Sequence, residues 1–335
     1  MTNQKTVTAA KKQSSLEKLG GQRFIVLLVI IGLAIFFSVM SPNFRKYTTL
    51  VSILDYSYYI VLMSIGVTFP LITGGVDLSI GTGLICYSLV GGYLITFHNF
   101  PVWGGMLVTV LFGIAIGILN GTLVAIMEIP PFLVTLCTCM ITRGLGSIIV
   151  GGFGITWPTG TQPGAWFRNI FKITVAPRKM LPIGIVWVLI LVLIMSYVLK
   201  HTKIGRYTIA IGSNKEAARL SGVNVKAYHV TAYAISGLFA GLAAIAYSAV
   251  FSTVQPGTGA GFELEAIGGA IIGGVSASGG QGTVTGSLLG VFVICLLKTG
   301  LPFIGLQANW QQIITGLVLI GAVLIDVIKK RRGIE

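Results

Sequence analysis

The sequence predicts an all-α polytopic membrane protein, and three observations carry that fold class. Apolar residues make up 54% of the 335 and charged residues only 10%, whereas an ordinary soluble domain carries about 25% charged residues. Long apolar runs recur along the chain, most of them near the roughly 20 residues a helix needs to cross the hydrocarbon core. Glycine reaches 45 residues without a Gly-X-Y period, so it points to helix packing and backbone breaks and not to a fibrous repeat. With a mean hydropathy of +0.89, these features exclude a water-soluble enzyme and a disordered chain.

Ten runs qualify as spans: 24–40, 53–73, 80–97, 102–126, 131–153, 181–199, 228–250, 266–278, 283–299 and 310–328. The third, eighth and ninth are short or interrupted by glycine, so about ten transmembrane helices are expected, within a range of eight to ten. The net charge of +14 raises the question of nucleic acid, and its distribution answers it. Fifteen of the 23 Lys and Arg residues fall in three segments: the first 23 residues (Lys5, Lys11, Lys12, Lys18, Arg23), the stretch 200–227 (Lys200, Lys203, Arg206, Lys215, Arg219, Lys226) and the tail (Lys329, Lys330, Arg331, Arg332). Ten spans put all three on one side, the pattern of the positive-inside rule. Both termini are therefore expected in the cytoplasm, with tails 1–23 and 329–335 flanking one membrane domain over 24–328, and no nucleic acid is required. Arg45, Lys46, Arg168, Lys172, Arg178 and Lys179 fall outside, four of them in the longest external loop, where the rule is weak.

Trp103, Trp157, Trp166 and Trp310 are expected at the outer interface as an aromatic belt. The segment Trp166-Phe167-Arg168-Asn169-Ile170-Phe171-Lys172 has the spacing to lie flat on the membrane, or it contacts an external partner. The first run lacks an A-x-A-like cleavage site and reads as retained. Cys86, Cys137, Cys139 and Cys295 lie inside spans and read as buried small residues, because Cys137-x-Cys139 has neither redox nor zinc spacing. No cofactor or metal is expected.

Glycines at fourth positions let membrane helices approach closely, since lipid gives no hydrophobic drive for association. Gly113, Gly117 and Gly121 share one face, and Gly237/Gly241, Gly269/Gly273 and Gly286/Gly290 repeat the device; packing within one chain is the leading reading, a subunit interface the other. Ionisable groups at membrane depth usually face a cavity or a partner. In Thr73-Gly74-Gly75-Val76-Asp77-Leu78-Ser79-Ile80-Gly81, Asp77 or Ser79 caps a half-helix facing a polar cavity, or is a plain cap at the membrane surface. Arg143 is an internal ion-pair partner or a surface snorkeler. Asp55, Glu263 and Glu265 belong to the same cavity, to its outer mouth, or to simple interfacial solvation. The candidate translocation path is therefore Asp77, Ser79, Asn120, Arg143, Glu263 and Glu265. The stretch Gly261-Phe262-Glu263-Leu264-Glu265-Ala266-Ile267-Gly268 echoes 75–81. Each echo follows the first helix of a four-helix block, and an offset of five spans would make the blocks inverted repeats, with residues 77 and 263 reached from opposite faces.

The stretch 200–227 holds a short helix signature: Ser213-Asn214-Lys215-Glu216 as a capping box, Ala217-Ala218-Arg219-Leu220 as the body and Gly222 as the stop. Two turns bury little alone, so the helix docks on a partner or lies on its own subunit. No G-x-x-x-x-G-K-[ST] exists in the chain; ATP-driven work would need another polypeptide.

On these residues the chain resembles the permease subunits of bacterial ATP-binding-cassette sugar importers of the ribose/xylose/arabinose type. The likeness runs from about residue 24 to 328. It rests on Ile72-Thr73-Gly74-Gly75-Val76-Asp77-Leu78-Ser79-Ile80-Gly81, on Pro131-Phe132-Leu133-Val134-Thr135-Leu136 with Arg143-Gly144, and on Glu265-Ala266-Ile267 with Gly273-Gly274, Gly279-Gly280-Gln281-Gly282 and Gly286. Thr202-Lys203-Ile204-Gly205-Arg206, Ala210-Ile211-Gly212-Ser213-Asn214 and Ala217-Ala218-Arg219-Leu220-Ser221-Gly222 are similar to the family's ATPase-coupling segment, whose candidate residues here are Gly205, Arg206, Asn214, Glu216, Ala217, Ala218, Arg219 and Gly222. The resemblance implies two ATPase subunits inside, a soluble sugar-binding protein outside, a second permease subunit in the bilayer, and no chemistry on the solute. A permease for a nucleoside or branched-chain amino acid, an H⁺-coupled carrier using Asp77 or Glu263, and a passive channel are the competing functions.

Overall fold

Backbone polar groups at membrane depth have no water to bond, so a chain this apolar must satisfy them in helices. The computed structural model describes residues 2–176 and 179–331 and does so with α1 (Thr2–Met40), α2 (Tyr47–Ile72), α3 (Ile80–His98), α4 (Val102–Ala125), α5 (Pro131–Ile149), α6 (Gly184–His201), α7 (Lys203–Ser213), α8 (Lys215–Leu220), α9 (Val225–Phe251), α10 (Phe262–Ile272), α11 (Val284–Gly300) and α12 (Ala308–Arg331). Among the described residues eight helices are long and apolar enough to cross a membrane, the lower end of the expected range. Of the other expected spans, the tenth corresponds to α12, whose apolar part is Asn309–Leu324. The eighth becomes α10, only 11 residues and hence about 16 Å long, half the hydrocarbon thickness. The apolar run 266–278 had placed it too late, because hydropathy does not register where Gly273 and Gly274 end the helix. Arg178 and Arg332, and residues 333–335 of the tail, lie outside the described residues.

Two short ribbons interrupt the all-α pattern: β1 (Ile155–Thr156) pairs antiparallel with β4 (Thr253–Val254), and β2 (Ile173–Ala176) with β3 (Lys179–Leu181). The first ties the α5–α6 connection to the loop after α9. On that same face Tyr47 donates to the Met180 carbonyl at 2.6 Å and Arg168 to the Ala249 carbonyl at 3.0 Å. The opposite face gathers 73–74, 128–131, the α7–α8 region and 279–280.

α2 and α9 form the centre, their side chains largely buried; α4, α5 and α6 present Leu107, Leu111, Met140, Ile141 and Leu193 outward, as lipid- or subunit-facing helices do. Glycine decides the closest crossings. A Cβ at Gly113 would overlap the Gly237 carbonyl, one at Gly117 the Tyr233 carbonyl, and one at Gly121 would stand 2.7 Å from the Val230 Cα. Gly269 and Gly273 meet Gly290 and Gly286 in the same way across α10 and α11. All four glycine sets thus pack within the chain, where close approach supplies the dispersion energy that lipid does not.

Three expectations are corrected. Trp157 is fully buried and donates to the Ser88 carbonyl at 3.2 Å, so it is a core residue, while Trp103, Trp166 and Trp310 are exposed. The segment from Trp166 is a 3-10 turn (Ala165–Ile170) in which Phe167 and Phe171 are buried, so two of the four apolar residues expected on a membrane-facing side pack into the protein instead. Cys86 and Cys295 are buried, but Cys137 is exposed on α5, and all four cysteines are free.

Candidate functional site

The break between α2 and α3 is built by sequence. Pro70 sits inside the last turn of α2, and Gly74 takes φ +84, a left-handed value that costs an L side chain about 1–2 kcal/mol. The chain then continues through the protein as an irregular segment, 75–79, that is neither helix nor strand. Its backbone is not left bare: the Val76 carbonyl accepts from Thr135 Oγ1 at 3.2 Å and from the Tyr233 hydroxyl at 3.4 Å.

Asp77, 1% exposed, anchors the start of α3. Its Oδ1 accepts from the Ser79 amide (3.0 Å) and hydroxyl (2.6 Å), and its Oδ2 from Ser236 Oγ at 2.7 Å. Asn120 Nδ2 donates to Ser79 Oγ at 3.0 Å, and Thr138 Oγ1 donates to Asn120 Oδ1 at 2.7 Å. A buried carboxylate survives in an apolar interior only with such bonds, and here they fasten α3, α4, α5 and α9 to one point. Asp77, Ser79 and Asn120 are thus brought together in the buried interior and not at the surface, but neither Asp77 nor Ser79 makes the expected side-chain cap bond to α3. Ser236 and Thr138 escaped sequence reading, since a hydroxyl in an apolar run gives no hint of a partner 159 positions away.

The second broken helix mirrors the first. α10 begins after Gly261, and Glu263 Oε1 accepts from the Gly261 amide at 3.1 Å, while its Oε2 has no partner. The first turns of α3 and α10 touch: a Cβ at Gly81 would overlap Glu263 Oε2 and stand 2.8 Å from the Glu263 nitrogen. The two echoing segments therefore meet in space, N-terminus against N-terminus.

The remaining candidates stand apart from Asp77. Glu265, 7% exposed, is paired with Lys298 at 2.5 Å; the partner was legible in principle, because a lysine inside an apolar run demands a counter-charge. Asp55 pairs with Lys172 at 2.5 Å, joining α2 to the α5–α6 connection. Arg143 is exposed on α5 and makes no ion pair among the described residues.

The loop 200–227 folds as two helices. Thr202 caps α7, and Gly205 is buried where a Cβ would overlap the Leu199 carbonyl. The cap of α8 is Asn214, whose Oδ1 accepts from the Ala217 amide at 2.9 Å; the expected Ser213 cap is off by one residue, Asn being an equally good cap. Ser213 instead ends α7, its hydroxyl reaching the Gly280 carbonyl at 3.5 Å. Gly222 stops the helix with φ +80, as expected. Ala218, Ile211 and Val225 form a small satellite core. Around it Arg206, Asn214, Glu216, Ala217, Arg219 and Gly222 are exposed, and Leu220 stands 83% in the open.

Beneath α2 these parts join. The Gly280 amide donates to the Ile72 carbonyl at 2.8 Å, and Gly212 packs directly on that carbonyl. The end of the α7 helix, the glycine turn 279–280 and the break before Asp77 are one contact.

Comparison with known proteins fits this arrangement. Residues 49–323 match the family described as "Branched-chain amino acid transport system / permease component". The ribose import permease protein of Escherichia coli K12 is 33% identical over 311 residues, covering 90% of this chain and 92% of that protein. The fructose import permease protein of Bifidobacterium longum is 31% identical over 329 residues (96% and 94%), and the autoinducer 2 import system permease protein of Salmonella typhi 32% over 303 (90% and 84%). No solved structure matches. A many-helix membrane chain with two broken helices, matched over most of its length, belongs to this family of transport-system permease components.

Proposed function

We propose that the chain forms the pathway of an importer for a sugar or sugar-like solute, in the plasma membrane of a bacterium. An external binding protein delivers the solute, a second permease subunit completes the pathway, and cytoplasmic ATPase subunits drive it. Both termini and the α7–α8 pair lie in the cytoplasm, where the basic residues of 200–227 belong. The observation that carries the reading is the contact of Gly212 and Gly280 with the Ile72 carbonyl. It couples an exposed docking helix with no other evident task to the broken helix before Asp77. A push on α8 is transmitted through α7 to that break, while Asp77, Ser79 and Asn120 hold α3 in place. Glu263, Glu265 and the exposed face of α5 with Arg143 line the route. The chain does no covalent chemistry on the solute.

Uptake into vesicles containing the chain, with and without the ATPase subunits and ATP, tests the proposal. Uptake that requires both is the expected result. Uptake that persists without the ATPase and follows a proton gradient favours a carrier using Asp77 or Glu263 and overturns it.

A further inference from the structure

A cavity of about 540 Å³ opens on the face that carries α7 and α8, between the end of α4 with the loop after it and α8 with the first turns of α9. Its size falls in the range of small-molecule sites. Lys215 and Arg219 of α8 and Lys226 of α9 line it, against the carboxylates of Glu128 and Glu216. Arg219 already holds Glu216 at 2.9 Å. Among the described residues Lys215, Lys226 and Glu128 are in no ion pair, and both lysines are exposed. Cations gathered around one concavity raise the local concentration of anions there. Leu220, the exposed apolar residue of α8, is not part of the lining, so the cavity and the outward docking face are separate. Thr73 and Gly74, the break before Asp77, form another part of its wall.

We propose that this cavity binds a small phosphate monoester. Lys215 and Lys226 give charge-assisted bonds to the phosphate oxygens, and Glu128 accepts a hydroxyl of the ligand body. A monoester carries about −1.5 to −2 charges near neutral pH, which suits two unpaired lysines, while Glu128 opposes a larger polyanion such as a nucleoside triphosphate. Bound there, the ligand ties α8 and α9 to the wall formed by Thr73 and Gly74 and restrains the α7–α8 pair. Phosphorylated solute accumulating on this face therefore slows uptake. The site stands on the cavity and its charges; the braking of uptake rests on the importer reading above.

Isothermal titration calorimetry on the purified chain in phosphatidylcholine nanodiscs, at about 150 mM salt to screen diffuse attraction, tests the site with glycerol 3-phosphate, glycerol and succinate as probes. Saturable binding of glycerol 3-phosphate is expected, with none of glycerol and weaker binding of succinate. Lys215→Gln and Lys226→Gln should each weaken it about tenfold, the effect of one lost charge-assisted bond. Lys200→Gln, exposed but outside the cavity, should leave it unchanged. No binding, equal binding of succinate, or equal loss in all three variants would overturn the site, the last by marking a general attraction to a chain of net charge +14. Displacement of the probe when phosphatidylglycerol is added to the nanodisc would overturn it as well, because the occupant would then be a lipid headgroup. In vesicles with the ATPase subunits, glycerol 3-phosphate on the α7–α8 side should reduce ATP-dependent uptake by the parent and spare Lys226→Gln. Binding without that effect would refute the brake alone, and binding by a chain that shows no ATP-dependent uptake would refute the importer reading and keep the site.

Discussion

Gly212 packs against the carbonyl oxygen of Ile72 so closely that a methyl group at position 212 would overlap it. The same oxygen accepts from the Gly280 amide at 2.8 Å, so the end of α7 cannot shift without moving the end of α2. Gly212→Ala forces the two apart, an overpacking that costs about 1–3 kcal/mol. The variant is expected to insert normally yet lose most ATP-dependent uptake while the ATPase still turns over. Parallel uptake and hydrolysis assays check this, and normal uptake would refute the transmission route.

Leu220 is the most exposed large apolar side chain in the α7–α8 region, at 83%. A side chain this exposed contributes little to the stability of its own chain. Leu220→Asp should leave the melting temperature of the isolated chain within a degree or so, since surface changes stay within about 0.5 kcal/mol, and should abolish co-purification with the ATPase subunits.

Asp77→Ala removes the acceptor of three buried hydrogen bonds. Bonds to a charged group are each worth about 1.5–3 kcal/mol, so the variant is expected to melt well below the parent in detergent. Asp77→Asn keeps an oxygen for Ser79 and should lose less. Equal melting of all three would show that the network does not hold the start of α3.

Gly117 and Gly144 make a controlled pair. Gly117 faces the Tyr233 carbonyl across α4 and α9, whereas Gly144 has nothing near the place of a Cβ. Gly117→Leu should prevent accumulation of the folded chain. Gly144→Leu should fold, and a shift to a smaller species on size-exclusion chromatography would mark the α5 face as the place where a second permease subunit sits.

Inverted blocks predict different access to the two breaks. After Cys137, exposed on α5, is replaced by serine, Gly74→Cys should react with a membrane-impermeant maleimide only from the cytoplasmic side, and Ala260→Cys only from outside. Both positions are exposed. Labelling of both from one side would dismiss the inverted arrangement.

Much of this was legible from residue types. Apolar length located the spans, because a hydrocarbon slab imposes one length on every crossing helix. The glycine spacing named the faces of α4, α9, α10 and α11 that touch. Gly222 and the body of α8 were readable because caps and stops are local. What escaped was long-range or partial. Hydropathy treats 266–278 as a span, although the helix is shorter and begins at Phe262. Trp157 and Phe167 read as interfacial, since aromatic composition alone does not tell a belt from a buried connection. The bonds from Ser236 and Thr138 that complete the Asp77 network depend on which helices become neighbours, which no local pattern encodes.

The head-to-head meeting of α3 and α10 at Gly81 and Glu263 makes the two half-helices behave as a see-saw with one pivot. If the proposed pathway runs past this contact, tilting either first turn would displace the other, and widening toward one side of the membrane would narrow the way toward the other in the same stroke. On that reading the seal of an energised membrane would need no dedicated gate.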